Sequence, residues 1–172
     1  MKFRALVAMM LLAGCATSAQ QEKLTDRQIA MVMRVVNIAE IRESEIARDK
    51  SGNTAVREFA QMLINEHEAQ NNKTESELSR VDINSEDTML SRQLDATSGA
   101  AADRLRGLTG AALDRAFADR QTDAHQSALS LIDSTLAPQA RKKIVKENLA
   151  ALRKMLETHL ARAKQLRSSL PQ

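Results

Sequence analysis

His67, His125 and His159 are the only imidazoles in the chain, and each interrupts an apolar stripe that repeats at helical intervals. His67 stands four residues after Leu63 and seven after Ala60; His125 lies four before Leu129; His159 lies three after Leu156 and four before Ala163. A helix position faces a core roughly one time in three, so three interruptions on three separate segments point to placement rather than accident. Upstream, Glu40 and Glu43 continue the line of Met33 and Val36 toward Ala47. Carboxylates and imidazoles are costly to bury unless they pair or bind a cation. A Glu/His cluster between helices is one way to hold a divalent transition metal ion, and Glu40, His67, His125 and His159 are the candidate ligands. Met155, four residues before His159, adds a thioether of the kind that suits Cu(I). The alternative is a structural or interaction module whose polar residues satisfy one another and bind nothing.

The elements that must position these groups read as helices throughout. Ala, Leu, Arg and Glu are plentiful, Gly and Pro scarce, and Trp and Tyr absent. Thr25 and Gln28 have capping-box spacing and open a first helix to about Lys50. Ser51-Gly52-Asn53 is a compact turn, and a second helix runs from about Thr54 to Arg80. Asp82 to Ser85 reads as a loop, followed by short helical pieces around 89–94 and 100–108. A third long helix spans about 111–136, and Pro138 suits the first turn of a fourth, with Val145, Leu149, Leu152 and Leu156 on its stripe. Four amphipathic helices with a helical crossover segment predict an all-α four-helix bundle.

Heights along the rods test whether the polar groups can meet. With the first turn centred between Gly52 and Asn53, Glu40 and His67 are two residues out of level, about 3 Å at the helical rise. Glu43 is out of level with His67 by about 7.5 Å, the weaker candidate. With the third turn centred between Ala137 and Pro138, His125 and His159 are nine residues out of level, about 13 Å, too far for one ion. Phe59-Ala60 precedes His67 by eight residues, and Phe117-Ala118 precedes His125 by the same eight.

The address is written at the start. Lys2 and Arg4, an apolar run from Ala5 to Ala13, and small residues before Cys15 make a secretory signal too short to span a membrane. Leu12-Ala13-Gly14-Cys15 resembles a bacterial lipoprotein signal, which implies cleavage after residue 14 and an acylated Cys15 as the anchor in the lipid bilayer. A lone cysteine in an exported protein has no internal disulfide partner, and lipidation accounts for it. Ala16, rather than Asp, follows that cysteine, so the expectation is a periplasm-facing, outer-membrane position. The expected organisation is signal 1–14, lipidated Cys15 and tether 15–24, and helical domain 25–170. Lys2 and Arg4 leave with the signal, so the formal charge falls from +3 to +1. No basic block or aromatic platform suits nucleic acid, and no protein partner is legible.

Several segments together resemble a known family. Ala39-Glu40-Ile41 with Ile46-Ala47, Asn53, Val56, Phe59, Met62 and His67 is similar to its first hairpin. Leu108-Thr109-Gly110-Ala111-Ala112-Leu113-Asp114-Arg115-Ala116-Phe117 running to His125 resembles its second signature, and Leu156 with His159-Leu160 its ending. This family comprises bacterial secreted proteins grouped as a domain of unknown function, labelled predicted outer-membrane proteins, with a ferritin-like fold. The resemblance covers about residues 25–168 and implies that Glu40, His67, His125 and His159 are a shared polar set. Its members carry Asp before each of the first two histidines, where this chain has Glu66 and Ala124. If those acids orient the imidazoles, the site near His125 is weakened.

Enzymatic readings lack their residues. A di-iron site needs paired Glu-x-x-His, yet Ile64, Thr122 and Leu156 stand three before the histidines. No nucleophile elbow or glycine-rich phosphate loop is present. The expectation is a non-enzymatic protein.

Overall fold

The computed structural model describes residues 23–171. Cys15, the signal 1–14 and most of the tether lie outside that range. Among the described residues the protein is helical with no strand: α1 (Asp26–Lys50), α2 (Thr54–Ser79), α3 (Met89–Arg106), α4 (Gly110–Leu131), the short α5 (Ala137–Gln139) and α6 (Lys143–Ser169). No described helix is long and apolar enough to cross a membrane.

Local chemistry sets the boundaries. Thr25 and Gln28 form the expected reciprocal cap, with Gln28 N–H donating to Thr25 Oγ1 at 3.3 Å and Thr25 N–H to Gln28 Oε1 at 2.9 Å. Asn53 caps α2 by accepting from the Ala55 and Val56 amides. Leu24, which the sequence placed in the tether, belongs to the packed domain instead. It is 1% exposed, and its N–H donates to Gln139 Oε1 at 2.7 Å.

Two further expectations are corrected. The pieces predicted at 89–94 and 100–108 are one helix, α3, opened by a second reciprocal cap between Thr88 and Ser91. It lies against α1 and α4 as a crossover. Pro138 does not start α6. Its ring would clash with the carbonyl four residues back in a regular helix, and a π-helical turn, Ile132–Leu136, precedes it, so that α4 continues through α5. The chain reverses only at 140–142, with Lys142 as the N-cap residue of α6. That moves the centre of the turn by about three and a half residues and cuts the nine-residue mismatch between His125 and His159 to about two, some 3 Å at the helical rise.

Long helices α1, α2, α4 and α6 pack around two separate apolar clusters. One gathers Ile29, Met33, Leu78, Ile132, Leu149 and Leu156. The other gathers Ala47, Phe59, Leu63, Leu113, Phe117 and Ala163. Along the long helices, buried polar residues stand between these sets: Asn37, Glu40, Glu43 and Ser44 on α1, His67 on α2, Gln121 and His125 on α4, and His159 on α6. A polar layer crosses the bundle at mid-height.

Candidate metal centre

The layer is built from positions that continue the stripes. On α1 the buried line runs Ile29, Met33, Asn37, Glu40, Ser44, Ala47, stepping by three and four. Asn37 thus occupies the inward position that the sequence reading gave to Val36, which is only half-buried. His67 continues Ala60 and Leu63 on α2, His125 continues Ala118 on α4, and His159 continues Leu152 and Leu156 on α6.

The three imidazoles meet. Ring centroids lie 5.9 Å apart for His67 and His125, 5.0 Å for His67 and His159, and 5.3 Å for His125 and His159. The Phe–His echo has its explanation here: Phe59 and Phe117 also meet edge to face at 6.1 Å, eight residues away on both helices.

Each ring has one nitrogen tied and one free. His67 Nδ1–H donates to Asn37 Oδ1 at 2.9 Å, His125 Nδ1–H to the Gln121 carbonyl at 2.8 Å, and His159 Nε2–H to Glu66 Oε2 at 2.9 Å. Those bonds leave lone pairs on His67 Nε2, His125 Nε2 and His159 Nδ1, and none of these three buried atoms has a hydrogen-bond partner. One ligand nitrogen from each histidine lies within 4.8 Å of the others. Ligands around a tetrahedral zinc-like ion at about 2.1 Å are about 3.4 Å apart, so modest ring rotations close the set.

Glu40 does not join that trio. Its Oε2 lies 4.0 Å from His125 Nδ1, on the outer side of the ring, and also lacks a hydrogen-bond partner. His67 faces Asn37 on α1 rather than Glu40, because residues 37 and 67 are equidistant from Gly52 while Glu40 is one turn short. Glu43 is committed elsewhere: Arg120 Nε and Nη2 donate to it at 2.7 and 2.8 Å, and Ser98 Oγ at 3.0 Å. Met155 is only partly buried and packs at the edge of the first apolar cluster. Glu66 serves His159 and not its sequence neighbour His67, since adjacent helix positions point about 100° apart. Ala124 leaves His125 oriented, because a backbone carbonyl does the work there.

Every partnerless buried side-chain polar atom among the described residues lies in this layer, Ser44 Oγ and the Gln121 carboxamide included. Buried polar groups are ordinarily bonded. Burial, reinforced by the neighbouring histidines, pushes His67 well below the ordinary imidazole range and His125 down to about 3. His159 is also lowered by burial, against the opposing pull of Glu66. Glu40 is pushed up to about 8 by burial and then by Glu43.

A pH profile follows for the metal-free protein. The histidines titrate lower in the fold than the ordinary 6.5, so their contribution is present above pH 6.5 and is lost as pH falls toward values such as 3 for His125. Glu40 has the opposite sign: its contribution is present below 4.5 and is lost as pH rises through 8. Urea midpoints should therefore peak near pH 6.5, changing by about 1.4 kcal/mol per pH unit for each net proton. A midpoint that keeps rising from pH 6.5 to 8 would contradict this arrangement.

Fold and layer together define a class: an all-helical bundle with three histidines converging from three helices. A family model described as domain of unknown function (DUF4142) matches residues 13–166, and the chain belongs to that family. Among solved structures it is similar to one described as putative secreted protein DUF305 from Streptomyces coelicolor. The TM-score is 0.69 at 15% identity, over 86% of this chain and 96% of that one. At that identity the likeness speaks for the fold alone. The search of curated proteins found no match.

Proposed function

We propose that this chain is an exported, lipid-anchored protein of the bacterial envelope whose bundle, ferritin-like in plan, holds one divalent transition metal ion. The ligands are His67 Nε2, His125 Nε2 and His159 Nδ1. The observation that carries this reading is the set of three inward lone pairs with no partner, each fixed by a hydrogen bond on the far side of its ring. Metal-binding histidines have this second hydrogen bond almost without exception. Imidazole donors suit zinc, copper, nickel and iron. Glu66 and Glu40 place carboxyl groups behind two of the rings. Three protein ligands leave a fourth position for a small exogenous ligand. No catalytic role is assigned.

The anchoring half of the proposal rests on Lys2, Arg4, the run to Ala13 and Cys15. One acyl chain binds a membrane marginally while two or three bind firmly. Wild-type protein should sediment with outer membranes, and Cys15→Ser should appear in the soluble periplasmic fraction. Unchanged sedimentation of that variant would end the lipoprotein reading.

The metal half is tested on the soluble Cys15→Ser chain. Titration with Co(II) should produce visible d–d bands that saturate at one equivalent, and Zn(II) should displace them. His67→Gln should lose both signals while keeping its helical circular dichroism. Absence of stoichiometric metal after reconstitution with Zn, Fe, Ni or Cu would leave the bundle as a structural module.

A further inference from the structure

We propose that the cavity between α1, α3 and α4 is a second binding site, taking a small amphipathic amine with its ammonium on Glu40 and its apolar body between the three helices. The cavity holds about 270 Å³. Val36, Leu90, Leu94, Ala128 and Leu131 form its apolar walls. All five are exposed to some degree, so the space is reachable from outside. Glu40, Arg120 and Ser98 form the polar end.

Two of those three polar groups already have partners. Arg120 and Ser98 both donate to Glu43. Glu40 is the exception: it is 4% exposed, and its Oε2 has no hydrogen-bond partner. Arg120 directs its bonds to Glu43, so no cation bonds the Glu40 carboxyl at the end of the cavity, and an ammonium donor fits there. A carboxylate ligand would add a third carboxyl group to two that already share one guanidinium. A neutral hydrocarbon would fill the walls and leave the Glu40 carboxyl without a cationic partner. The space is below the roughly 300–1,000 Å³ of pockets for drug-sized ligands, so the occupant is a short alkyl or cyclic amine. None of the three histidines lines this cavity. The amine needs no ion on the histidines, although Glu40 also stands behind the His125 ring.

The test uses the Cys15→Ser chain kept metal-free with chelator, so that its result is independent of the metal titration. n-Hexylammonium, n-hexanol and hexanoate are titrated separately and followed by amide chemical shifts and calorimetry. The amine should shift amides of α1, α3 and α4 around Glu40 saturably and bind at least tenfold more tightly than either analogue. Glu40→Leu should weaken amine binding at least tenfold. Ala128→Phe, which fills the cavity and keeps Glu40, should abolish the shifts. Hexanol or hexanoate binding as tightly as the amine would overturn the proposal. So would unchanged affinity in Glu40→Leu, or the absence of saturable binding in a folded wild-type chain.

Discussion

His125→Leu is expected to abolish metal binding and, at the same time, to make the metal-free protein more stable. The ring lies fully buried between two apolar clusters, and its Nε2 has no partner. A buried unsatisfied polar atom costs about 1–3 kcal/mol, and leucine of similar volume removes it. The change strands no acceptor. Its Nδ1 bonds to the Gln121 carbonyl, four residues back on the same helix, which the α-helical ladder also uses. Metal-free His125→Leu should melt about 2–12 °C above the metal-free parent, by the ordinary conversion for a domain of this size. With metal at one hundred times its dissociation constant the parent gains about 2.7 kcal/mol, and the variant nothing. The order of the two melting curves then converges or reverses on adding the ion. A variant that is less stable without metal, yet still responds to it, would contradict the assigned role.

Arg120→Met should be the most damaging single change in the layer. Glu43 is 0% exposed and receives two nitrogens of Arg120 as well as the hydroxyl of Ser98. These bonds join α1, α3 and α4 at one point. Removing the guanidinium leaves a buried carboxylate with a single weak donor, at a cost of about 3–5 kcal/mol. Against a total stability of about 5–15 kcal/mol, that is a large fraction. The urea midpoint should fall with little change in slope. Glu43→Leu combined with Arg120→Met should restore most of the loss, since a buried ion pair replaced by packed hydrocarbon is often near neutral. If the double variant is as unstable as the single one, the pair is not the source of the effect.

The long helices were legible because their stripes are long and their caps ordinary: Thr25 with Gln28, and Asn53 before Thr54. The histidines were legible because imidazole interrupts leucine. Asn37 was not, since an asparagine among Val36, Ile38 and Ala39 looks like a surface residue until the steps from Met33 to Glu40 are counted. The carbonyl that orients His125 carries no side-chain signature at all. Glu66 was visible as an acid, but which ring it serves depends on where α6 passes. The height of His159 was misjudged because proline reads as a helix start, and nothing in 132–136 announces a π turn. α3 was split in two by the polar run Asp95 to Gly99, whose Ser98 is in fact the inward contact to Glu43.

The polar belt has a mechanical consequence. Hydrocarbon adhesion is interrupted at mid-height, so the two ends of the molecule share few greasy contacts and are coupled chiefly through backbone and hydrogen bonds. Such a cross-section is a natural fault line, where amide protons should exchange with solvent at lower free energy than in either end. A guest ion gripping α2, α4 and α6 at that level would rivet the halves together, turning the weakest slice of the protein into its clasp.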